Sequence, residues 1–255
     1  IVVSTQKRSQ ALLEVPITIT AVDNQFLRRL NITEFDQLSA YVPGLEMQLQ
    51  SPNNPGFVIR GITSDDGDSR VQPRVSVFQD GVSISRARGA VVELFDMERV
   101  EVVKGPQGTL FGRSAQIGAV HLIQNKPRNY TTGEVNAWYG NYNQLNLTGV
   151  FNTPIVKDKL LMRIAAIQNQ RDGFVGNLSG DKALNSKKTT AVRGSFRWLP
   201  SAGTTLDLII NYQVDKPTGT SFRSKAYAPK NGSINPWDDA DLEQGDTLGV
   251  DRKVY

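Results

Sequence analysis

From residue 128 onward, apolar and polar residues alternate with a period of two over long stretches, the signature of strands with one wet and one dry face. Leu145, Leu147 and Phe151 alternate with Gln144, Asn146 and Thr148. Leu160, Met162, Ile164 and Ala166 alternate with Arg163, Asn169 and Arg171, with Ile167 falling among the latter. Val192, Phe196 and Trp198 oppose Arg193, Ser195 and Arg197; Leu206, Leu208, Ile210 and Tyr212 oppose Asp207, Asn211 and Gln213. Glu134 to Tyr139 reads as a strand before these. A soluble sandwich alternates in the same way. Three details favour a transmembrane barrel wall. The segments run about ten residues. Tyr139, Tyr142, Phe151, Trp198 and Tyr212 gather near their ends. The connections also alternate in length. A tight hairpin at Gly140-Asn141, and short turns at Asn152–Asp158 and Leu199–Thr204, contrast with long polar stretches at Asp172–Lys188 and after Asp215.

The first half has a different grammar, that of a small α+β domain. Asp23 to Leu30 has helical spacing with Phe26, Leu27 and Leu30 on one face. A second short helix is expected to start at Thr33 as N-cap with Asp36 at N3, burying Phe35 and Leu38 and stopping at Pro43-Gly44. Short strands separated by turns such as Asp80-Gly81 follow.

Composition narrows the chemistry. The 255 residues include no cysteine, which removes disulfides, thiolate metal sites and cysteine nucleophiles. No apolar run approaches the roughly 20 residues of a spanning helix, so a bilayer could be crossed only by strands. A net charge of +4 without a Lys/Arg run argues against nucleic acid. His121 is the single histidine, so no histidine pair or catalytic triad can be assembled. Gly105 to Gly112 lacks the spacing of a phosphate loop and reads instead as a tight turn needing positive φ. Asp65-Asp66-Gly67-Asp68 lacks the ligand spacing of a calcium loop and reads as solvated.

One constellation goes further. The run Arg99-Val-Glu-Val-Val-Lys-Gly-Pro-Gln-Gly-Thr-Leu-Phe-Gly-Arg113 leads to Gly118-Ala-Val. It is preceded by Pro43-Gly-Leu45, Phe57-Val-Ile-Arg-Gly61 and Val75-Ser-Val-Phe-Gln-Asp-Gly-Val82. In this order the set resembles the plug domain of a TonB-dependent outer-membrane receptor over roughly residues 1–127. The resemblance implies a TonB-box-like segment at 1–5, an α+β plug at 6–127, and the first antiparallel strands of a transmembrane β-barrel at 128–255. About five strands cannot close such a barrel, since plugged transporters use about 22 and lipid does not tolerate an open edge. The chain is therefore expected to be the N-terminal third of a longer protein, stopping within an extracellular loop.

The resemblance also implies roles. Ile1, Val2, Val3, Ser4 and Thr5 would be captured by TonB, driven by its inner-membrane ExbB/ExbD motor, through strand addition. Arg60 and Arg99 would lock the plug to barrel glutamates, or else pair locally with Glu98 or Glu101. Plug loops at Gln50–Pro55, Thr63–Val71 and Ser85–Ala90 would touch the ligand, with Arg70, Arg86 and Arg88 suiting an anionic chelate. Arg163, Arg171, Arg193 and Arg197 point into the lumen and would pair mostly with plug acids. The implied function is active import of a scarce nutrient, foremost a ferric siderophore-type chelate, across the bacterial outer membrane, without covalent chemistry, metal site or cofactor. A signal-transducing receptor, an importer of cobalamin, a glycan or an aromatic compound, and a soluble binding module are the alternatives.

Overall fold

The computed structural model describes residues 2–3, 10–51, 54–63, 73–84, 92–112, 115–176 and 182–219. The first half contains β1 (Val2–Val3), β2 (Gln10–Ala11), β3 (Ile19–Asp23), α1 (Asn24–Arg29), α2 (Phe35–Ser39), β4 (Leu45–Ser51), β5 (Asn54–Ile59), β6 (Ile62–Thr63), β7 (Val75–Gln79), β8 (Val82–Ile84), β9 (Met97–Lys104), α3 (Gly108–Phe111) and β10 (Gly118–Gln124). Its main sheet runs β3-β9-β10-β7-β8, with β10 parallel to β7 and the other pairings antiparallel. β9 and β10 are central and mostly buried on both faces, with Glu101, His121 and Gln124 as buried polar residues among their apolar ones.

One face of this sheet forms the core. Val100, Val102, Val120 and Leu122 pack with Leu27 of α1 and with Phe35 and Leu38 of α2. Phe35 meets Phe57 edge to face at 5.4 Å. Gly118 is required here, because a Cβ would lie 2.5 Å from the Val103 carbonyl oxygen and 2.6 Å from Ile59 Cδ1. The turn between β9 and α3 takes positive φ at Gly105 (113°), and α3 ends at Gly112 with φ of 78°.

Both helices differ from their sequence reading. α1 is capped by Asp23, whose carboxylate accepts from the Phe26 amide at 2.9 Å. It buries Leu27 alone, because six residues present only one position to the sheet; Phe26 and Leu30 stay substantially exposed. In α2 the cap is Glu34, without a side-chain cap bond, and not Thr33. The Thr33 carbonyl is recruited by the Leu94 amide at 2.8 Å, and the Thr33 amide donates to Gln37 Oε1 at 2.9 Å. Tertiary pairing with the 92–96 segment thus displaces the expected capping box.

The second half is a meander of β11 (Thr132–Gly140), β12 (Gln144–Val156), β13 (Leu160–Arg171), β14 (Lys187–Ser201) and β15 (Thr204–Asp215), paired in sequence order and antiparallel throughout. The strands have 9, 13, 12, 15 and 12 residues, enough to cross a hydrocarbon core when tilted. β12 and β14 continue beyond their expected ends, so the turns contract to residues 157–159 and 202–203. The segment after Asp215 lies, beyond 219, outside the described residues.

Register places Asn152, Arg163 and Ser195 in one lateral row, and Val150, Ala165, Arg193 and Asn211 in the next. This face meets the plug, and Arg193 is 1% exposed there. The opposite face carries Leu147, Ile164, Val192, Trp198, Leu206, Leu208 and Ile210, with Leu208 56% exposed. A wall that is polar on the plug side and apolar on the other suits lipid against its outer face. No helix among the described residues is long and apolar enough to cross a membrane.

In the full-length protein, Leu208→Arg should cost roughly 2–4 kcal/mol if the residue sits near mid-bilayer, whereas Asn211→Arg on the lumen face should be close to neutral. Urea unfolding of the protein in phospholipid bilayers measures the difference.

Candidate functional site: the contact between plug and wall

The described site is a charged seam. The segment Val92–Asp96 leaves the plug core and turns sharply at Asp96, which takes a left-handed φ of 50° before β9 begins. That turn aims the Asp96 carboxylate at the wall. Arg163 of β13 and Arg193 of β14 meet it there. They stand on the same face of neighbouring strands, one row apart, because Arg193 is opposite Ala165 and Arg163 is opposite Ser195. Arg163 donates from Nε to Oδ2 (2.8 Å) and from Nη2 to Oδ1 (2.5 Å); Arg193 Nη2 donates to Oδ2 (2.9 Å) and to the Asp96 carbonyl (2.8 Å). Asn125 Nδ2 donates to Oδ1 at 2.9 Å. The Arg193 guanidinium also lies over the Phe95 ring at 4.9 Å. Turned so that its amide oxygen faces Arg193, Gln124 accepts from Nη1 at 2.7 Å and donates to Asp80 Oδ2 at 2.9 Å.

The side chains of Asp96 and Arg193 are 2% and 1% exposed. Breaking such a pair from one side strands a buried charge, at a cost of roughly 3–5 kcal/mol, although the intact pair adds little over an apolar contact. Its value is positional. Phe95 beside it sits among Ala165, Ile167 and Ala191 of the wall, so an apolar contact and an ion cluster fix the same spot.

Further toward the start of β14, Lys187 binds Glu34 at 2.6 Å and Glu93 at 2.8 Å, while Asn169 Nδ2 donates to Glu93 at 3.2 Å. Burial pushes the Glu93 carboxyl above its ordinary range, opposed by Lys187 and reinforced by Glu34. Burial, then Glu34, raise Asp36 likewise. At the other end Asp207 of β15 accepts from Arg197 at 2.7 and 2.9 Å, and from the plug's Lys126 at 3.2 Å. On β11, Glu134 forms a two-pronged pair with Arg28 of α1, one arm at 2.8 Å.

The residues expected from the resemblance lie as follows. Arg60 takes a left-handed φ of 53° and donates from Nη2 to Thr18 Oγ1 at 3.0 Å. Arg99 binds Glu98 and, at 2.7 Å, the fully buried Glu101 of its own strand. Val3 is 1% exposed and pairs with Gln10. Ile1, Ser4, Thr5, Arg70, Arg86, Arg88 and the Asp65–Asp68 run lie outside the described residues. Arg163 and Arg193 do face a plug acid, whereas Arg171 donates to the Asn185 carbonyl at 2.8 Å and covers the Phe174 ring, so it serves its own loop. Sequence reasoning missed Asp96, Glu93, Glu34, Lys187, and Arg28 with Glu134. One signal was available: Glu93 and Asp96 interrupt the apolar run Val91-Val-Glu-Leu-Phe-Asp-Met97. An acid inside an apolar run is either an edge residue or a buried partner.

Residues 11–119 match the model of the family described as TonB-dependent Receptor Plug Domain. The matched residues coincide with the first half of the fold, and the five-stranded antiparallel wall follows them. Among sequence relatives, the pesticin receptor of Yersinia pestis is 28% identical over 209 residues, covering 78% of this chain and 30% of that protein. The ferrioxamine B receptor of Salmonella typhimurium strain LT2 is 26% identical over 88% of this chain and 30% of its own length. Among solved structures, the ferric yersiniabactin uptake receptor of Yersinia pestis superposes with a TM-score of 0.74 at 22% identity, over 80% of this chain and 32% of that one. The ferripyoverdine receptor of the outer membrane of Pseudomonas aeruginosa gives 0.71 at 18% identity, over 88% and 30%. The chain thus spans about 30% of the length of the curated relatives it matches.

Asp96→Ala should destabilise the seating of the plug by roughly 3–5 kcal/mol, because it leaves the Arg193 guanidinium buried and unpaired. Limited trypsin digestion should cut the plug sooner while the barrel keeps its heat-modifiable gel mobility, and Asp96→Asn should fall between the two.

His121 supplies a pH test. It stacks on Phe78 at 4.9 Å and meets Phe111 edge-on, with Nε2 buried and without a hydrogen-bond partner. Burial pushes its pKa down to about 4. Between pH 6.5 and 4 the unfolded chain therefore holds a proton that the native plug excludes. Stability falls as pH drops through that window, by about 3 kcal/mol once pH is below 4. Urea unfolding across that range should show a shallower acid loss in His121→Phe than in wild type.

Proposed function

We propose that this protein is a TonB-dependent importer that carries a ferric siderophore-type chelate across the bacterial outer membrane. The observation that carries the reading is a plug domain seated by buried ion pairs on the polar face of a lipid-facing wall. That arrangement closes a pore but holds its closure by contacts that can be made and broken. Supporting the choice of ligand, the similar proteins include a ferrioxamine B receptor and a ferric yersiniabactin uptake receptor.

In this reading the chelate binds at the outer ends of the plug loops, where Arg70, Arg86 and Arg88 meet its anionic oxygens. Occupancy releases residues 1–5 to the periplasm. TonB adds a strand to that segment and, driven by ExbB/ExbD and the proton gradient, pulls on the plug. The short pairing of β1 with β2 favours such an exchange, since a ladder of two residues is marginal and is readily replaced by another strand. Arg60 then acts as a plug residue that reaches a carboxylate elsewhere in the barrel wall, while Arg99 keeps its pairs with Glu98 and Glu101 of its own strand. No bond is made or broken in the cargo, so the chain needs no catalytic residue and no cofactor.

Deleting Ile1–Thr5 should abolish uptake of radio-iron-loaded ferrioxamine B or ferric yersiniabactin, whichever the cells bind. Binding of the same chelate to energy-depleted cells should remain near wild type. Loss of both together would overturn the assignment of this segment.

A further inference from the structure

On the side of the wall away from the plug, register sorts β13, β14 and β15 into lateral rows. From Leu160, Trp198 and Leu206 up to Ala166, Val192 and Tyr212, these rows are apolar or aromatic. The next two rows differ. In the first, Gln168 and Thr190 precede Val214, and the Thr190 hydroxyl donates to Gln168 Oε1 at 2.5 Å. In the second, Gln170 stands opposite Lys188. Lys216, one residue past β15, joins that row, because its amide donates to the Lys188 carbonyl at 2.8 Å.

The two lysines stand at the edge of the apolar band. The connection from β13 to β14 is long, whereas the turns at 157–159 and 202–203 are short, which puts the start of β14 at the extracellular end. Ten residue steps of β14 lead from Trp198 to Lys188. They amount to about 34 Å of strand, and to about 26 Å of height at a tilt near 40°. The apolar band of such a wall is about 25 Å tall, so Lys188 and Lys216 lie level with headgroup phosphates. Alternation sends Lys187 to the lumen, where Glu34 and Glu93 hold it, and Lys188 to the opposite side. Asp215 also belongs to the lumen side, where it accepts from Thr189 at 2.7 Å. Lys188 and Lys216 are exposed, and neither forms an ion pair among the described residues. Like charges directly opposed on neighbouring strands destabilise a sheet. An anion held between them reverses that effect.

We infer that Gln170, Lys188 and Lys216 form a seat, on the outer surface of the wall, for the phosphorylated sugar headgroup of an outer-leaflet glycolipid. The ammonium groups of Lys188 and Lys216 meet phosphate oxygens. Gln168 and Thr190, one row closer to the hydrocarbon, meet the hydroxyl and amide groups where acyl chains join the sugar. Val192 and Tyr212 then pack against the chains. A phospholipid brings one phosphate and no sugar ring, so it satisfies the lysines but leaves the amide and hydroxyl row without its partner. The inference holds for any cargo. It rests on the lipid-facing reading of this side of the wall, and the test separates the two.

Native mass spectrometry of the full-length protein in detergent, with diphosphorylated lipid A as the probe, reads the seat directly. EDTA is present, so that divalent cations do not bridge the phosphates. Lys188→Gln and Lys216→Gln should each weaken the tightest-bound lipid A about fivefold, and together roughly 30-fold, as expected for one lysine and two at an anionic lipid surface. Lys188→Arg should keep the binding. Lys157→Gln with Lys159→Gln, at the opposite end of the wall, should bind like wild type. Dephosphorylated lipid A and phosphatidylglycerol should both bind wild type far more weakly than diphosphorylated lipid A. The Lys188→Gln/Lys216→Gln variant should keep its heat-modifiable gel mobility, which shows that the barrel still folds. Equal binding of lipid A by wild type and that variant, or phosphatidylglycerol held as tightly as lipid A, would overturn the seat. A spin label on Leu208→Cys in phospholipid bilayers tests the wall by itself. If lipid-soluble oxygen reaches the label but the double variant binds lipid A like wild type, the seat alone fails. If the label is shielded, the lipid-facing reading fails and the seat with it.

Discussion

One plug carboxylate held by two arginines of adjacent wall strands organises this molecule. Asp96 can take that place only because its backbone turns left-handed there and because β13 and β14 pair in the register that sets Arg163 and Arg193 one row apart. Neither arginine would be tolerable on a buried face without the carboxylate, and the carboxylate would not be tolerable without them. The mutual requirement fixes rotation and height of the plug against the wall. Phe95 and the neighbouring Glu93–Lys187 pair then follow as consequences of the same short segment.

The polarity of the seam matters for how a plug can be both secure and removable. Buried pairs resist one-sided loss but add little when intact, so they specify position more than they add stability. Solvated pairs such as Arg28–Glu134 specify little and yield easily. The buried kind lies on β13 and β14, and more solvated pairs lie on β11 and β15 to either side. A plug held everywhere by buried pairs would be hard to move; one held only by solvated pairs would leak.

The wall works under a different constraint. Lipid demands that every strand satisfy its backbone laterally and present apolar side chains outward. The period of two makes both requirements compatible with a polar lumen face, and the exposed Leu206, Leu208 and Ile210 opposite the paired Asp207 and Asn211 show the division within a single strand. The plug is the reverse case, a mixed sheet with a dry core on one face, closed by two short helices that are too brief to be stable without it.

Much of this was legible in the chain. The alternation from residue 144 onward shows which side chains share a face, because period-two geometry is local and needs no partner. The glycines at 105 and 112 announce the β9–α3–β10 turn, since each occupies backbone space that other residues rarely enter. Phe35 and Leu38 were readable as core from their spacing alone. What the chain could not reveal was which charges meet. Asp96 and Arg163 are 67 residues apart and Asp96 and Arg193 are 97 apart. Their meeting depends on the height at which one domain sits against another. The same is true of the α2 cap, where a local preference for Thr33 yields to the pairing of its carbonyl with Leu94. Local rules decide what each strand and turn can be. Long-range ion pairs and borrowed hydrogen bonds depend on register between elements, and only the packed tertiary structure sets that register.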